Sequence, residues 1–316
     1  MPVLIGRNRL TTVPPRAVVA IGMFDGVHRA HQQLIRTTVR LARRVRGTSV
    51  AVTFDPDPQT VLDPHHAQPP LMPLQRRLEL IASYGAQLIW VIRFTPAFSR
   101  MSPEAFVRSV LWRRLRARWI VVGSAFAFGK DRRGDLALLR RLGEACGMQV
   151  TALPAVRAGG IPISSSRIRR LVQQGALAEA RQLLGRDAEL SGVVVHGAGR
   201  ATQLGFPTAN IRLAPTLQPP RGVYDVGVVI GRRRDDGLMN LGVRPTFLPP
   251  SLSSGQTGRE SALVCEVHLP AFQGTLYDQS VRIELHRYLR NERRFPHPQA
   301  LARQIRRDLR RLTRLR

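Results

Sequence analysis

The stretch Ala17–Ile35, AVVAIGMFDGVHRAHQQLI, decides the fold of the first half of this chain. Val18, Val19 and Ile21 make an apolar, β-branched run of the kind that forms a buried strand. Gly22, Asp25 and Gly26 break it with turn chemistry. From about His28 the pattern turns helical, with Leu34, Ile35, Val39 and Leu41 as the buried stripe. Strand, tight turn and helix N-terminus together present free backbone N–H groups and the positive end of a helix dipole, a geometry that receives phosphate. His28 and His31 stand three residues apart at that entrance, close enough to address one ligand together. Taken alone, the pair also fits two surface histidines at a helix end.

Strand and helix patterns alternate onward from this unit. Thr48–Phe54 reads as a strand closed by Pro56 and Pro58, Leu74–Tyr84 as an amphipathic helix, and Leu88–Phe94 as a buried strand. Ser102-Pro103-Glu104 is a helix start with Ser102 as cap, and that helix leads to a strand at Trp119–Val122. Alternation through residue 150 predicts a parallel, doubly wound, Rossmann-like sheet with its ligands beyond the strands' carboxyl ends. The loop Gly123–Lys130 is not a phosphate-binding P-loop. Its glycines are too far apart, and Asp131 replaces the Ser/Thr that would hold magnesium. His65 and His66 sit in a Pro-rich loop where a metal role has little support. Ser164, Ser165 and Ser166 precede the apolar-periodic Ile168, Leu171 and Val172, so they read as helix caps. The same hydroxyls and N–H groups can hold a triphosphate, helped by Arg167.

Texture changes after the helix Leu177–Leu184. Short runs at Gly192–His196, Val223–Ile230, Leu238–Leu241, Ala262–Leu269 and Val281–Leu285 are separated by Gly/Pro turns and predict a small antiparallel β-barrel. From Pro298, the residues Leu301, Ile305, Leu309 and Leu312 share one helical face, enough to cover a barrel opening. Two domains are expected in 316 residues, at 1–186 and 187–316.

Composition excludes other classes. The hydrophobic fraction is 43%, no segment has the apolar length to span a bilayer, and MPVLIGRNRL lacks a secretory h-region. Cys146 and Cys265 match no metal spacing and read as two buried thiols in a reducing cytoplasm. The net charge is +28, and because Lys130 is the sole lysine it is carried by arginine, clustered at Arg36–Arg46, Arg113–Arg118 and Arg303–Arg316. Such charge fits non-selective polyanion binding, nucleic acid included. It also fits an arginine-biased composition spread over solvated helix faces. Aromatics make up only 6%, and no stacking motif of the RNA-recognition type stands out.

The run Gly22-x-Phe24-Asp25-Gly26-Val27-His28-x-x-His31 resembles the front motif of the bacterial bifunctional riboflavin kinase/FAD synthetases. Gly123–Gly129 is similar to that family's flavin-side motif, and Ile163–Arg169 to its Ile-Ser-Ser-Thr-x-Ile-Arg run. In the second half, Leu204–Asn210, Asn240–Phe247 and Leu289–Phe295 resemble runs of its riboflavin kinase module. The resemblance implies phosphorylation of riboflavin to FMN and adenylylation of FMN to FAD, with ATP and Mg2+. It implies Glu266 as the kinase base and His28 and His31 as catalytic in adenylyl transfer; Glu266 on a strand also fits a merely outward-facing residue. It further implies nucleotide and flavin binding by Gly22, Phe24, Asp25, Gly26, Ser164, Ser165, Ser166, Arg167, Gly205, Pro207, Thr208, Asn210, Arg290 and Glu292, with Thr208 and Asn210 on magnesium.

The chain departs from the family pattern at Ala30, Asp57, Ala125, Ala201-Thr202, Ala271 and Asp278. Asp57 puts a negative charge where relatives carry an imidazole. Adenylyl transfer is therefore expected to be the weaker activity, with Arg132 or Arg133 as the neighbours able to neutralise that charge. A second reading from another class is a diverged flavin-binding or basic RNA-binding regulator of the same fold.

Overall fold

Apolar, β-branched runs flanked by Gly and Pro turns form the first sheet of the computed structural model, which describes residues 4–7, 13–196, 206–243, 263–293 and 295–313. Its strands are β1 (Leu4–Arg7), β2 (Ala17–Ile21), β3 (Ser49–Asp55), β4 (Leu88–Arg93), β5 (Ala117–Gly123) and β6 (Gln149–Leu153). The helices between them are α1 (Arg29–Arg44), α2 (Pro58–Leu62), α3 (Leu74–Ser83), α4 (Pro96–Ser99), α5 (Pro103–Ala105) and α6 (Leu136–Ala145). All the pairings in this sheet are parallel, in the order β1-β4-β3-β2-β5-β6. The order reverses at β2, which has β3 on one side and β5 on the other, so the crevice at the sheet's switch point opens where β2 ends.

Side chains alternate between two cores. Val18 and Ala20 face Leu34, Ile35 and Leu41 of α1, while Val19 and Ile21 pack with Phe106, Val107 and Leu111 on the opposite face. That places helices on both sides, the doubly wound arrangement the alternation predicts. Ser102 caps α5 as expected, its Oγ accepting from Ala105 N at 3.1 Å. The helix then continues over Phe106–Arg114 as a π-helix rather than an α-helix.

Beyond a two-residue hairpin, β7 (Arg157–Ala158) with β8 (Ile161–Pro162), come α7 (Ser165–Gln173) and α8 (Leu177–Leu184). Strands β9 (Ala188–Val195), β10 (Thr208–Leu213), β11 (Gly222–Ile230), β12 (Arg233–Val243), β13 (Leu263–His268) and β14 (Ser280–Arg290) close into a barrel ordered β10-β13-β12-β11-β14-β9. Helix α9 (Pro298–Thr313) packs along β12. Packing groups Met1–Ile168 with Leu183–Gly185, and Arg169–Gln182 with Arg186–Arg316.

The barrel differs in detail from the sequence expectation. Strand β10, which sequence patterning does not single out, carries the Thr208–Asn210 motif. Strand β14 runs past its apolar centre with charged residues alternating with buried ones, whereas β12 extends through the exposed to half-buried Arg233–Asp236 by pairing with β11. On α9 the stripe Leu301, Ile305, Leu309 and Leu312 is only half-buried, whereas Asp308 is 1% exposed.

Candidate active sites

The turn after β2 is held from three directions. Gly22 N donates to Val52 O at 3.1 Å, Thr53 Oγ1 donates to Met23 O at 3.0 Å, and the Asp25 carboxylate accepts Leu71 N at 3.0 and 3.1 Å. Gly26 has φ 77°, and a Cβ there would stand 2.7 Å from Leu71 Cδ1, so only glycine lets the chain fold back onto that loop. Phe24 also adopts a left-handed backbone and buries its ring completely. Phe24, Asp25 and Gly26 thus build the turn, and the N-terminus of α1 emerges from it.

His28 caps that helix. Its Nδ1 accepts from His31 N at 3.4 Å, and the two rings stack with centroids 3.6 Å apart. Accepting through Nδ1 fixes the His28 proton on Nε2. Burial, with help from His28 and Arg77, holds His31 well below the usual histidine pKa. His31 Nδ1 is buried without a hydrogen-bond partner, so the proton of its neutral ring belongs on Nε2. Because the folded protein resists protonating His31, the unfolded chain binds more protons below about pH 6.5. Stability should therefore fall with pH beneath about 6.5, by up to about 1.4 kcal/mol per pH unit for this one group. Urea midpoints of wild type and His31→Gln between pH 5 and 7, roughly the histidine range, measure this; equal slopes would refute it.

Two further elements converge here. Ser165 Oγ donates to Asp25 O at 2.9 Å, tying the start of α7 to the turn after β2 across 140 residues. Ser164 Oγ accepts Arg167 N at 3.2 Å and acts as the helix cap, and Ser166 is exposed. Arg167 Nη1 donates to Ala158 O and Ile161 O, so part of its guanidinium braces the β7–β8 hairpin. Arg77, which sequence patterning passes over, is 6% exposed and donates to Met23 O and Phe54 O, each at 3.0 Å, bridging the carboxyl ends of β2 and β3. Burial lowers its pKa, while Asp25, Asp55 and Asp57 push it back up.

In the barrel, strand register gathers the second set. Asn210 of β10 lies opposite Glu266 of β13, which lies opposite Asn240 of β12; one step along, Thr208 lies opposite His268. Directly opposed residues share a face, so Thr208, Asn210, Glu266 and Asn240 form one polar patch. The interleaved Ile211, Cys265, Val267, Met239 and Leu241 are buried on the other face, and burial beside Glu266 pushes the Cys265 thiol up to about 12. Asn210 Oδ1 is buried without a hydrogen-bond partner. A hard oxygen of this kind, two residues from the Thr208 hydroxyl and opposite a carboxylate, fits magnesium.

His268, another residue that sequence motifs did not single out, fixes the entry to this patch. Its Nδ1 bonds Pro207 O at 2.8 Å, and its ring meets Phe206 edge-on at 5.5 Å. Arg290 pairs with Asp308 at 2.8 Å, which explains the buried carboxylate on α9. The exposed Glu292 carboxylate lies over Gly242, where a Cβ would make it swing aside. Gly205, Arg200–Thr202 and Arg244–Phe247 lie outside the described residues. Among the described residues, no group of three or more His, Cys, Asp or Glu side chains is placed to hold a metal; His66 Nδ1 instead bonds Asp63.

The FAD synthetase family profile matches residues 10–167, and the riboflavin kinase profile matches residues 184–315. The chain belongs to the bifunctional riboflavin kinase/FMN adenylyltransferase family. The Escherichia coli K12 bifunctional riboflavin kinase/FMN adenylyltransferase is 33% identical over 98% of this chain and 96% of its own. The Listeria monocytogenes protein of that name is 33% identical over 92% and 90%. A crystal structure of a macrolide-efflux protein from Streptococcus pneumoniae matches with TM-score 0.87 and 26% identity, covering 99% of this chain and 100% of that one. No described helix is long and apolar enough to cross a membrane.

Against the bifunctional riboflavin kinase/FMN adenylyltransferase pattern, two departures acquire physical readings. Asp278 adopts φ 62°, a left-handed conformation that glycine takes freely and that Asp tolerates better than most residues. Asp57 caps α2, its Oδ1 accepting Gln59 N at 2.9 Å; the buried Arg77 attracts it, after Asp25 and Asp55, while Arg133 lies 3.9 Å from Asp131. An unopposed like charge at ~4 Å would cost about 4 kcal/mol at an effective dielectric near 20, roughly a thousandfold in rate. With Arg77 opposing it, Asp57→His should change FAD formation by less than about tenfold. A hundredfold gain in initial rate at saturating ATP would restore the unscreened-repulsion view.

Proposed function

We propose that the Rossmann-like domain, residues 1–186, adenylylates FMN and that the barrel domain, residues 187–316, phosphorylates riboflavin. The observation that carries the kinase assignment is the Thr208, Asn210 and Glu266 patch on adjacent strands. Glu266 takes the proton from the ribityl 5′-hydroxyl as that oxygen attacks the γ-phosphorus of ATP, giving FMN and ADP. Thr208 and Asn210 would hold magnesium, which neutralises phosphate charge when bound. Pro207, Gly205, Arg290 and Glu292 complete the nucleotide and flavin site in this reading.

In the first domain the FMN phosphate attacks the α-phosphorus of a second ATP, and pyrophosphate leaves. The first N–H groups of α1 receive the phosphates, Gly22 giving them room while its own N–H stays on Val52 O, and the Nε2–H groups of His28 and His31 stabilise charge developing there. Ser164, Ser165, Ser166 and Arg167 supply the opposite wall. Phe54, Phe94 and Phe98 form a half-buried ring cluster beside the carboxyl end of β3, supporting a flavin platform there. Family membership supports the enzyme over the diverged regulator. We place the reactions in the cytoplasm.

Chromatography of products from riboflavin, ATP and magnesium tests this. FMN and then FAD should accumulate, and excess EDTA should stop both. FMN formation persisting in EDTA would remove the magnesium role from Thr208 and Asn210.

A further inference from the structure

At the amino ends of the sheet, opposite the end where β2 opens into its turn, lies an open depression of about 600 Å³. Arg16 immediately precedes β2, Arg116 immediately precedes β5, and Gly147 lies just before β6, so three neighbouring strand starts form its floor. Its walls include Arg16, Trp112, Arg113, Arg116, Arg118 and Cys146, and no carboxylate lines it. Trp112 is 44% exposed on the last turn of the π-helix, whereas Trp90 is 1% exposed in the core. Arg16 and Arg118 each spend one N–H on a loop carbonyl, of Val45 and Gly147, both at 3.3 Å. Those bonds orient the two guanidiniums, and none of the four arginines ion-pairs with an acidic side chain among the described residues. Arg16 and Arg116 hold φ of 44° and 46°, a backbone region that favours glycine, yet arginine occupies both turns.

Four unneutralised guanidiniums around one exposed indole match a ligand that combines phosphates with flat bases. We infer that this end of the domain binds single-stranded nucleic acid, with Trp112 stacking on a base and the arginines tracking the backbone. A base-free polyanion would use the arginines and leave the indole idle. Double-stranded nucleic acid keeps its bases stacked internally and cannot offer one to Trp112. The inference gives the chain's +28 charge one defined docking surface in this domain, and it does not depend on either enzymatic activity.

The test uses the full-length protein and fluorescence anisotropy with three probes: a labelled oligouridine single strand, its duplex with oligoadenine, and labelled heparin. The single strand should bind more tightly than the duplex at about 150 mM salt. Trp112→Ala should weaken single-strand binding by roughly 5- to 150-fold, the range for losing one base stack, while heparin binding stays unchanged. Trp112→Phe, which conserves an aromatic ring, should retain most of the affinity. Replacing Arg113, Arg116 and Arg118 together by Gln should weaken all three probes and flatten the salt dependence by about 0.7 per lost phosphate contact. FMN and FAD formation should be unaffected by Trp112→Ala, which also reports that the variant is folded. Wild-type single-strand affinity in Trp112→Ala, or equal binding of single strand and duplex, would overturn the inference.

Discussion

Replacing Glu266 by Gln should reduce FMN formation by roughly 10²–10⁴-fold, the usual contribution of a positioned general base. The substitution keeps the side chain's length and its place on β13, so the register with Asn210 and Asn240 should survive. The loss should fall on kcat more than on KM, because the proton is transferred only as the phosphorus–oxygen bond forms. FAD formation from supplied FMN should continue at the wild-type rate, since it is assigned to the other domain. That internal control separates lost chemistry from lost folding. Turnover within threefold of wild type, roughly 0.6 kcal/mol, would mean that Glu266 is only an outward-facing strand residue. Asn210→Ala, which removes the orphaned Oδ1, should instead raise the magnesium concentration needed for half-maximal rate.

The sequence discloses most about segments whose chemistry is local. The run Ala17–Ile21 is buried on both faces of its sheet, so its apolar pattern is continuous, and the glycines behind it mark a turn whatever follows. Ser102 and Ser164 act as caps within three residues of themselves, and a cap is a local signal. What stays hidden is chemistry that spans the chain. Arg77 lies in an amphipathic helix and reads as a surface residue there; its partners, Met23 O and Phe54 O, are backbone atoms 54 and 23 residues away. Asp308 interrupts the apolar stripe of α9, and its burial is offset by the Arg290 guanidinium on β14 and by Gln304 Nε2 one turn back, each at 2.8 Å. Strand β10 does alternate, Thr208, Asn210 and Arg212 with Ala209, Ile211 and Leu213, but the run is only six residues long and two of its three apolar positions are the small Ala209 and the terminal Leu213. His268 likewise needs the barrel closed before Pro207 O comes within reach.

Replacing His31 by Ala should reduce FAD formation from FMN by about 10²–10³-fold, comparable to removing one donor from a charge-stabilising site. His31 is held neutral by burial and by its cationic neighbour Arg77, so it acts as a hydrogen-bond donor and not as a fixed positive charge. A donor placed where charge develops stabilises the transition state more than bound ATP. The loss should therefore appear in kcat, with KM for ATP moving by only a few-fold. His31→Gln, which offers an amide N–H, should recover part of the rate, whereas His31→Lys should not. A lysine ammonium would have to enter the space beside Arg77, where desolvation and like charge both oppose it. FMN formation should be unchanged in all three variants. If His31→Lys outperforms His31→Gln, the site needs positive charge at this position and the neutral-donor role is wrong. If His31→Ala retains full adenylyl transfer, the stacked pair leaves His28 as the sole donor, and His28→Ala must then carry the entire loss.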